Sequence, residues 1–91
     1  MFYLCTNFNQ PLNSWNTSNV INMVGMFSHC ENFNQPLNNW NTSNVKDSSY
    51  LFTNCLKFNQ PLNSWNTSNI TNMEGMFYLC IYLHLSVLIH Q

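Results

Sequence analysis

Charge is almost missing from this chain. Of its 91 residues only 5% are Asp, Glu, Lys or Arg, against about 25% in a typical globular domain. Lys46 and Lys57 are the only basic side chains apart from three His, and the acids are Glu31, Asp47 and Glu74. Nucleic-acid binding by counterion release needs several clustered cations, so no nucleic-acid partner is expected. Attraction to anionic lipid fails for the same reason. Three scattered acids make no carboxylate pair for acid–base chemistry. No basic n-region opens the chain, so Met1 to Cys5 is not read as a signal peptide, which says nothing about a parent protein's compartment. The apolar stretch from Ile81 to Gln91 is too short to span a bilayer, and no membrane insertion is expected.

Asn, and to a lesser degree Ser and Thr, carry the polarity instead. Hydrophobic residues make up 45% of the chain and aromatics 15%, enough for the core of one small domain.

The arrangement is repetitive. FNQPLNSWNTSN runs from Phe8 to Asn19 and again from Phe58 to Asn69, and FNQPLNNWNTSN runs from Phe33 to Asn44. A shift of 25 aligns the chain with itself up to Cys80. Phe8, Phe33 and Phe58 form one column, and so do Leu12, Leu37 and Leu62, and Trp15, Trp40 and Trp65. Phe2, Phe27, Phe52 and Phe77 form another, and Cys5, Cys30, Cys55 and Cys80 a fifth. A fixed period of this size marks units that bury their apolar edges against one another. The chain also opens inside its own repeat, since Met1-Phe-Tyr-Leu-Cys5 matches Met76-Phe-Tyr-Leu-Cys80. A fragment of a longer array, or a start inside one, is the expected reading.

Within one unit, Val20, Met23, Met26 or Phe27, and Cys30 are spaced for a short helical segment. Asn16 to Asn19 offers it N-cap candidates, and Gly25 inside it favours a 3₁₀ or broken turn. Phe8 to Trp15 contains Pro11 and is too short for a helix, so it is expected to be a brief extended strand. These elements predict an α/β repeat with one short strand and one short helical or 3₁₀ segment per 25-residue coil. Residues 1–80 form about three such coils with a partial first one. Residues 81–91 depart from the phase, as an apolar C-terminal cap or an out-of-frame end. The middle unit also departs, with Ser48 standing where the others have a core Met and Tyr50 expected to refill part of the volume.

The pattern F-N-Q-P-L-N-x-W-N-T-S-N-[VI]-x-N-M-x-G-M-F-x-x-C resembles the 25- to 26-residue repeat of bacterial surface proteins and mycoplasma-type lipoproteins. The portion Met26-Phe27-x-x-Cys30-x-x-Phe33 is similar to BspA-like leucine-rich repeats. The resemblance implies a right-handed, leucine-rich-repeat-like solenoid on a cell surface or secreted protein, serving adhesion or having no assigned function. It implies no catalytic residues and no cofactor.

Each reactive group has a structural reading beside the chemical one. Cysteines at a uniform gap of 25 do not have zinc-ligand spacing. They form either a buried thiol column or, with suitable geometry, bridges between coils. His29 beside Cys30 lacks an orienting third group for a nucleophilic pair, and no enzyme activity is expected. Asn16, Asn41, Asn66 and Asn69 begin N-glycosylation acceptor triplets, yet Asn, Thr and Ser are also turn residues that bond to nearby backbone. The Trp column is expected in the core. What remains is an outward amide strip of Gln10, Gln35, Gln60, Asn13, Asn38 and Asn63, expected to meet a protein or glycan on a surface by repeated hydrogen bonding. The alternative is a structural spacer, or a unit whose open ends associate with one another.

Overall fold

Two residues per repeat are left-handed, and they decide the local structure. In the computed structural model, which describes residues 1–83, φ is 61° at Gly25 and 63° at His29. It is 57° at Tyr50 and 59° at Asn54, then 62° at Gly75 and 63° at Leu79. A left-handed residue every fourth position ends any right-handed helix before it completes a turn.

The backbone between these points hydrogen-bonds in two directions by turns. The N–H groups of Met23, Gly25, Phe27 and His29 donate to the next repeat, at the carbonyls of Asp47, Ser49, Leu51 and Thr53. Those of Met26, Ser28 and Cys30 donate three residues back, to Met23, Gly25 and Phe27. The following repeat does the same. Ser48, Tyr50, Phe52 and Asn54 donate forward to Asn72, Glu74, Met76 and Tyr78, and Leu51, Thr53 and Cys55 donate back to Ser48, Tyr50 and Phe52. Successive 25-residue units therefore lie side by side in register, joined by backbone bonds of about the usual N–H···O length.

The expected α/β solenoid, with a strand and a helical or 3₁₀ segment per coil, is overturned. Among the described residues there is no helix and no strand, and sheet pairing is reduced to two isolated parallel bridges, Asn22 with Asp47 and Asp47 with Asn72. The region from Phe8 to Trp15 misses strand geometry for a chemical reason. Its neighbour's N–H groups are accepted by side chains rather than by a carbonyl ladder. Asn34 donates to Asn9 Oδ1 at 2.9 Å, Asn59 to Asn34 Oδ1 at 2.9 Å, and Asn39 to Asn13 Oδ1 at 3.0 Å. The Pro column contributes no donor at all.

Phenylalanine stacks run through the centre. Phe2, Phe27, Phe52 and Phe77 follow one another at centroid separations of 5.5, 5.7 and 5.7 Å. Phe8, Phe33 and Phe58 follow at 5.8 and 5.9 Å. The two files touch at 4.4 Å between Phe27 and Phe33 and at 4.3 Å between Phe52 and Phe58. The interior members of both files are fully buried, with Leu12, Leu37, Leu62 and Val45 around them. Phe2, Phe8 and Phe77 are only partly buried, because each has a neighbouring repeat on one side only among the described residues.

Ser48 is fully buried and donates Oγ to Met76 Sδ at 3.3 Å. Tyr50 does not refill the volume, as it is an exposed side chain. Leu51, in the column of Met26 and Met76, is the residue of that segment that enters the core. Of the C-terminal segment read as a cap, Ile81 and Tyr82 are exposed and Leu83 packs partly on the core. Its remaining residues, His84 to Gln91, lie outside the described residues.

Candidate functional site

The outward amide strip is built in large part from bonds between repeats. Gln35 Nε2 donates to Asn9 at both its carbonyl, 3.2 Å, and its Oδ1, 3.1 Å. Gln60 Nε2 repeats this on Asn34 at 3.2 and 3.0 Å. Both Gln are half-buried, whereas Gln10, which has no earlier repeat among the described residues, is exposed. Asn13 Oδ1 receives the N–H of Asn39, and Asn38 Oδ1 receives both the N–H of Ser64 at 3.2 Å and its hydroxyl at 2.6 Å. The Ser64 hydroxyl also reaches the Asn38 carbonyl. Asn63 is exposed. Of the six expected binding residues, four thus bond within the stack, and Gln10 and Asn63 are the exposed members.

The N-T-S-N phrase is a side-chain-locked turn. Asn16 Oδ1 accepts from Ser18 N at 3.1 Å and Ser18 Oγ at 2.7 Å. Asn41 with Ser43 and Asn66 with Ser68 reproduce the pair. This is the Asx-turn use of asparagine, in which the side chain stands in for a backbone turn bond. The other two residues of the phrase tie the turns together. Thr17 and Thr42 donate to the carbonyls of Asn41 and Asn66 at 3.2 and 3.1 Å. Asn44 and Asn69 donate to the carbonyls of Ser18 and Ser43 at 2.7 Å. Asn9, Asn34, Asn44 and Asn69 were not among the expected site residues, although their invariance from one repeat to the next marks them equally.

The Trp column is also a bonded ladder. Trp40 Nε1 donates to Leu12 O and Trp65 Nε1 to Leu37 O, each at 2.8 Å, and the two indoles lie 6.5 Å apart and nearly parallel. Trp40 is 2% exposed and Trp65 6%, while Trp15 at the first repeat is 43% exposed.

The four cysteines are free thiols. Cys30, Cys55 and Cys80 each donate Sγ–H to a carbonyl one repeat back, at Phe2, Phe27 and Phe52, all at 2.8 Å. Burial pushes the Cys30 and Cys80 thiols up to about 11. Cys55, packed between the two, is pushed higher still, by burial first and then by the neighbouring sulfurs. Thiols held protonated in this way are poor nucleophiles and poor metal ligands. His29 is half-buried, and its Nδ1 lies 2.8 Å from Ser28 Oγ rather than against the Cys30 sulfur. His84 and His90 lie outside the described residues.

The family described as "Mycoplasma protein of unknown function, DUF285" matches residues 1–86, and the chain belongs to it. No curated protein and no solved structure matches the chain.

Proposed function

We propose that this chain, a member of the Mycoplasma family of unknown function, is a non-catalytic structural module that lengthens a repeat array on a cell surface or secreted protein. The observation that carries this reading is the use of the amide strip. Gln35 and Gln60 spend their donors on the repeat before them, and Asn13 and Asn38 spend their carbonyl oxygens on the repeat after them. A ligand that recruits one of these bonded groups must first break its bond inside the stack, and that loss offsets the gain of making another. With charge almost absent, a spacer of this kind is held by short-range packing and hydrogen bonds, which salt screens little. A kinship with BspA-like surface repeats belongs to the same proposal and rests on the Met26-Phe27-x-x-Cys30-x-x-Phe33 portion.

Glycan and extracellular-matrix arrays test the role directly. The structural reading expects no retention of the protein above that of an unrelated control. Retention abolished by Gln10→Ala together with Asn63→Ala would overturn it, because those are the strip members left exposed. The polar recognition surface would then be the working part of the chain.

A further inference from the structure

Four Asn-x-Ser/Thr triplets lie along the chain, at Asn16-Thr17-Ser18, Asn41-Thr42-Ser43, Asn66-Thr67-Ser68 and Asn69-Ile70-Thr71. All four asparagines are exposed, and their hydrogen bonds divide them. In the first three the side-chain oxygen is the bonded atom. Asn16 Oδ1 accepts the Ser18 N–H at 3.1 Å and its hydroxyl at 2.7 Å. Asn41 and Asn66 accept the same pair from Ser43 and Ser68 at 3.0 and 2.7 Å. The Nδ2 groups of these three make no hydrogen bond among the described residues, so each repeat presents one free amide nitrogen to solvent. Asn69 is the reverse. Its Nδ2 donates to Ser43 O at 2.7 Å, and the Thr71 hydroxyl donates to Lys46 O at 3.2 Å rather than to Asn69.

An amide nitrogen is a weak nucleophile because its lone pair is delocalised onto the carbonyl oxygen. As it gives up a proton, the charge that develops rests largely on that oxygen. Two donors already aimed at Oδ1 stabilise this charge, as the donors of an oxyanion hole do. The Asn–Ser pair thus supplies what an N-glycosylation acceptor needs, an unbonded Nδ2 in solvent and a hydroxyl two residues on. The substituted amide keeps Oδ1 as an acceptor, so the turn survives the modification.

We infer that Asn16, Asn41 and Asn66 are N-glycosylation sites and that Asn69 is not. The co-substrate is a nucleoside diphosphate sugar, presented by a separate glycosyltransferase. Nδ2 attacks the anomeric carbon of the sugar, and the bond from that carbon to the diphosphate oxygen breaks with its electron pair. The nucleoside diphosphate leaves, one Nδ2 proton passes to a base of the transferase, and nothing is oxidised or reduced. The three turns stack on one another through the bonds from Thr17 to Asn41 O and from Thr42 to Asn66 O. The sugars therefore form a file along one edge of the stack, hydrating a chain almost without charge. This goes beyond the spacer role, which asks for no modification.

Site-resolved mass spectrometry of the protein isolated from the cells that make it reads the modification. Sugar is expected on Asn16, Asn41 and Asn66, and unmodified asparagine at all three would overturn the proposal. The choice between Asn66 and Asn69 has its own readout in vitro. The folded chain is incubated with uridine diphosphate glucose and a soluble N-glycosyltransferase, beside the unfolded fragments left by trypsin cleavage after Lys46 and Lys57. The fragment 58–91 carries both Asn66 and Asn69. In that fragment the two are expected to take glucose to similar extents. In the folded chain Asn69 is expected to take roughly tenfold less, because its bond to Ser43 O must break first. A folded chain that takes no glucose, or takes it equally at Asn66 and Asn69, would overturn the assignment. So would the same preference in the fragment as in the folded chain, since the fold would then have no part in it.

Discussion

The ring of Tyr50 lies directly over Gly75 of the next repeat. A β-carbon built on Gly75 would come within 2.7 Å of both Cδ1 and Cε1 of that ring. The same ring carries a hydroxyl that bonds to the Glu74 carboxylate, and this holds the Tyr50 phenol above its ordinary range. Gly25 has no such cover, since its nearest neighbour for a β-carbon is Ser28 Cβ at 3.9 Å.

Two alanine variants should therefore differ. Gly25→Ala carries the cost of a left-handed non-glycine residue, about 1 kcal/mol, and nothing more. Gly75→Ala adds displacement of the Tyr50 ring, so its urea midpoint should fall further than that of Gly25→Ala. Adding Tyr50→Ala to each variant should close the gap. In Gly75→Ala the Tyr50 titration, followed by ultraviolet absorbance, should also move down toward that of a free tyrosine, because the ring leaves Glu74.

The tryptophans should separate by position. Trp65→Phe and Trp40→Phe each leave a buried carbonyl, Leu37 O or Leu12 O, without its indole donor. Each should cost about 2 kcal/mol in denaturant unfolding. Trp15→Phe changes an exposed ring with no carbonyl partner among the described residues, and should stay within about 0.5 kcal/mol of the parent.

The thiol column makes stability fall in alkali. The folded-state thiols of Cys30 and Cys80 lie near 11, above the usual value of 9.0, so the folded chain holds protons that the unfolded chain has released. Their contribution is present in full below about pH 9 and is lost as pH rises through 11. Chemical denaturation between pH 7 and 11 should show a steady decline above 9. Alkylation at pH 8.5 should label the exposed Cys5 first and Cys55 last, with all four reacting together once the chain is unfolded.

Ser48 should be replaceable. Its hydroxyl is fully buried and its hydrogen-bond acceptor is the Met76 thioether, a weak acceptor. Ser48→Ala should thus be neutral within about 0.5 kcal/mol, or stabilising, because the desolvation of that hydroxyl is hardly offset. Thr42→Val is the contrast. It deletes a 3.1 Å bond to Asn66 O from a buried side chain and should cost about 1 kcal/mol by thermal unfolding.

Much of the architecture was legible in the repeat. The shift of 25 named the columns, and the structure stacks Phe27 on Phe52 and Trp40 on Trp65 as those columns require. Of the two readings of the cysteine column, the structure takes the thiol one, with Cys30 and Cys55 buried in the core. The strip of expected binding residues was found as a set, and the bonds that four of them make between repeats were not legible. An amide can face solvent or the previous turn from the same position, and the alternation of residues does not distinguish these. Gln10 and Gln35 have identical neighbours in sequence, and among the described residues only Gln35 has a repeat before it to bond.

The sequence by itself determined which residues are neighbours, because identical units related by one shift must meet like with like. It could not determine the backbone path between them. A spacing of three or four suits a helix, a 3₁₀ segment and a chain of three-residue turns equally. Only the tertiary structure decided for turns, by placing Gly25, Tyr50 and Gly75, and His29, Asn54 and Leu79, in the left-handed region. The reason is where the hydrogen bonds go. A helix would satisfy Met23, Gly25, Phe27 and His29 within one repeat, whereas the turns release those four donors to hold the next one.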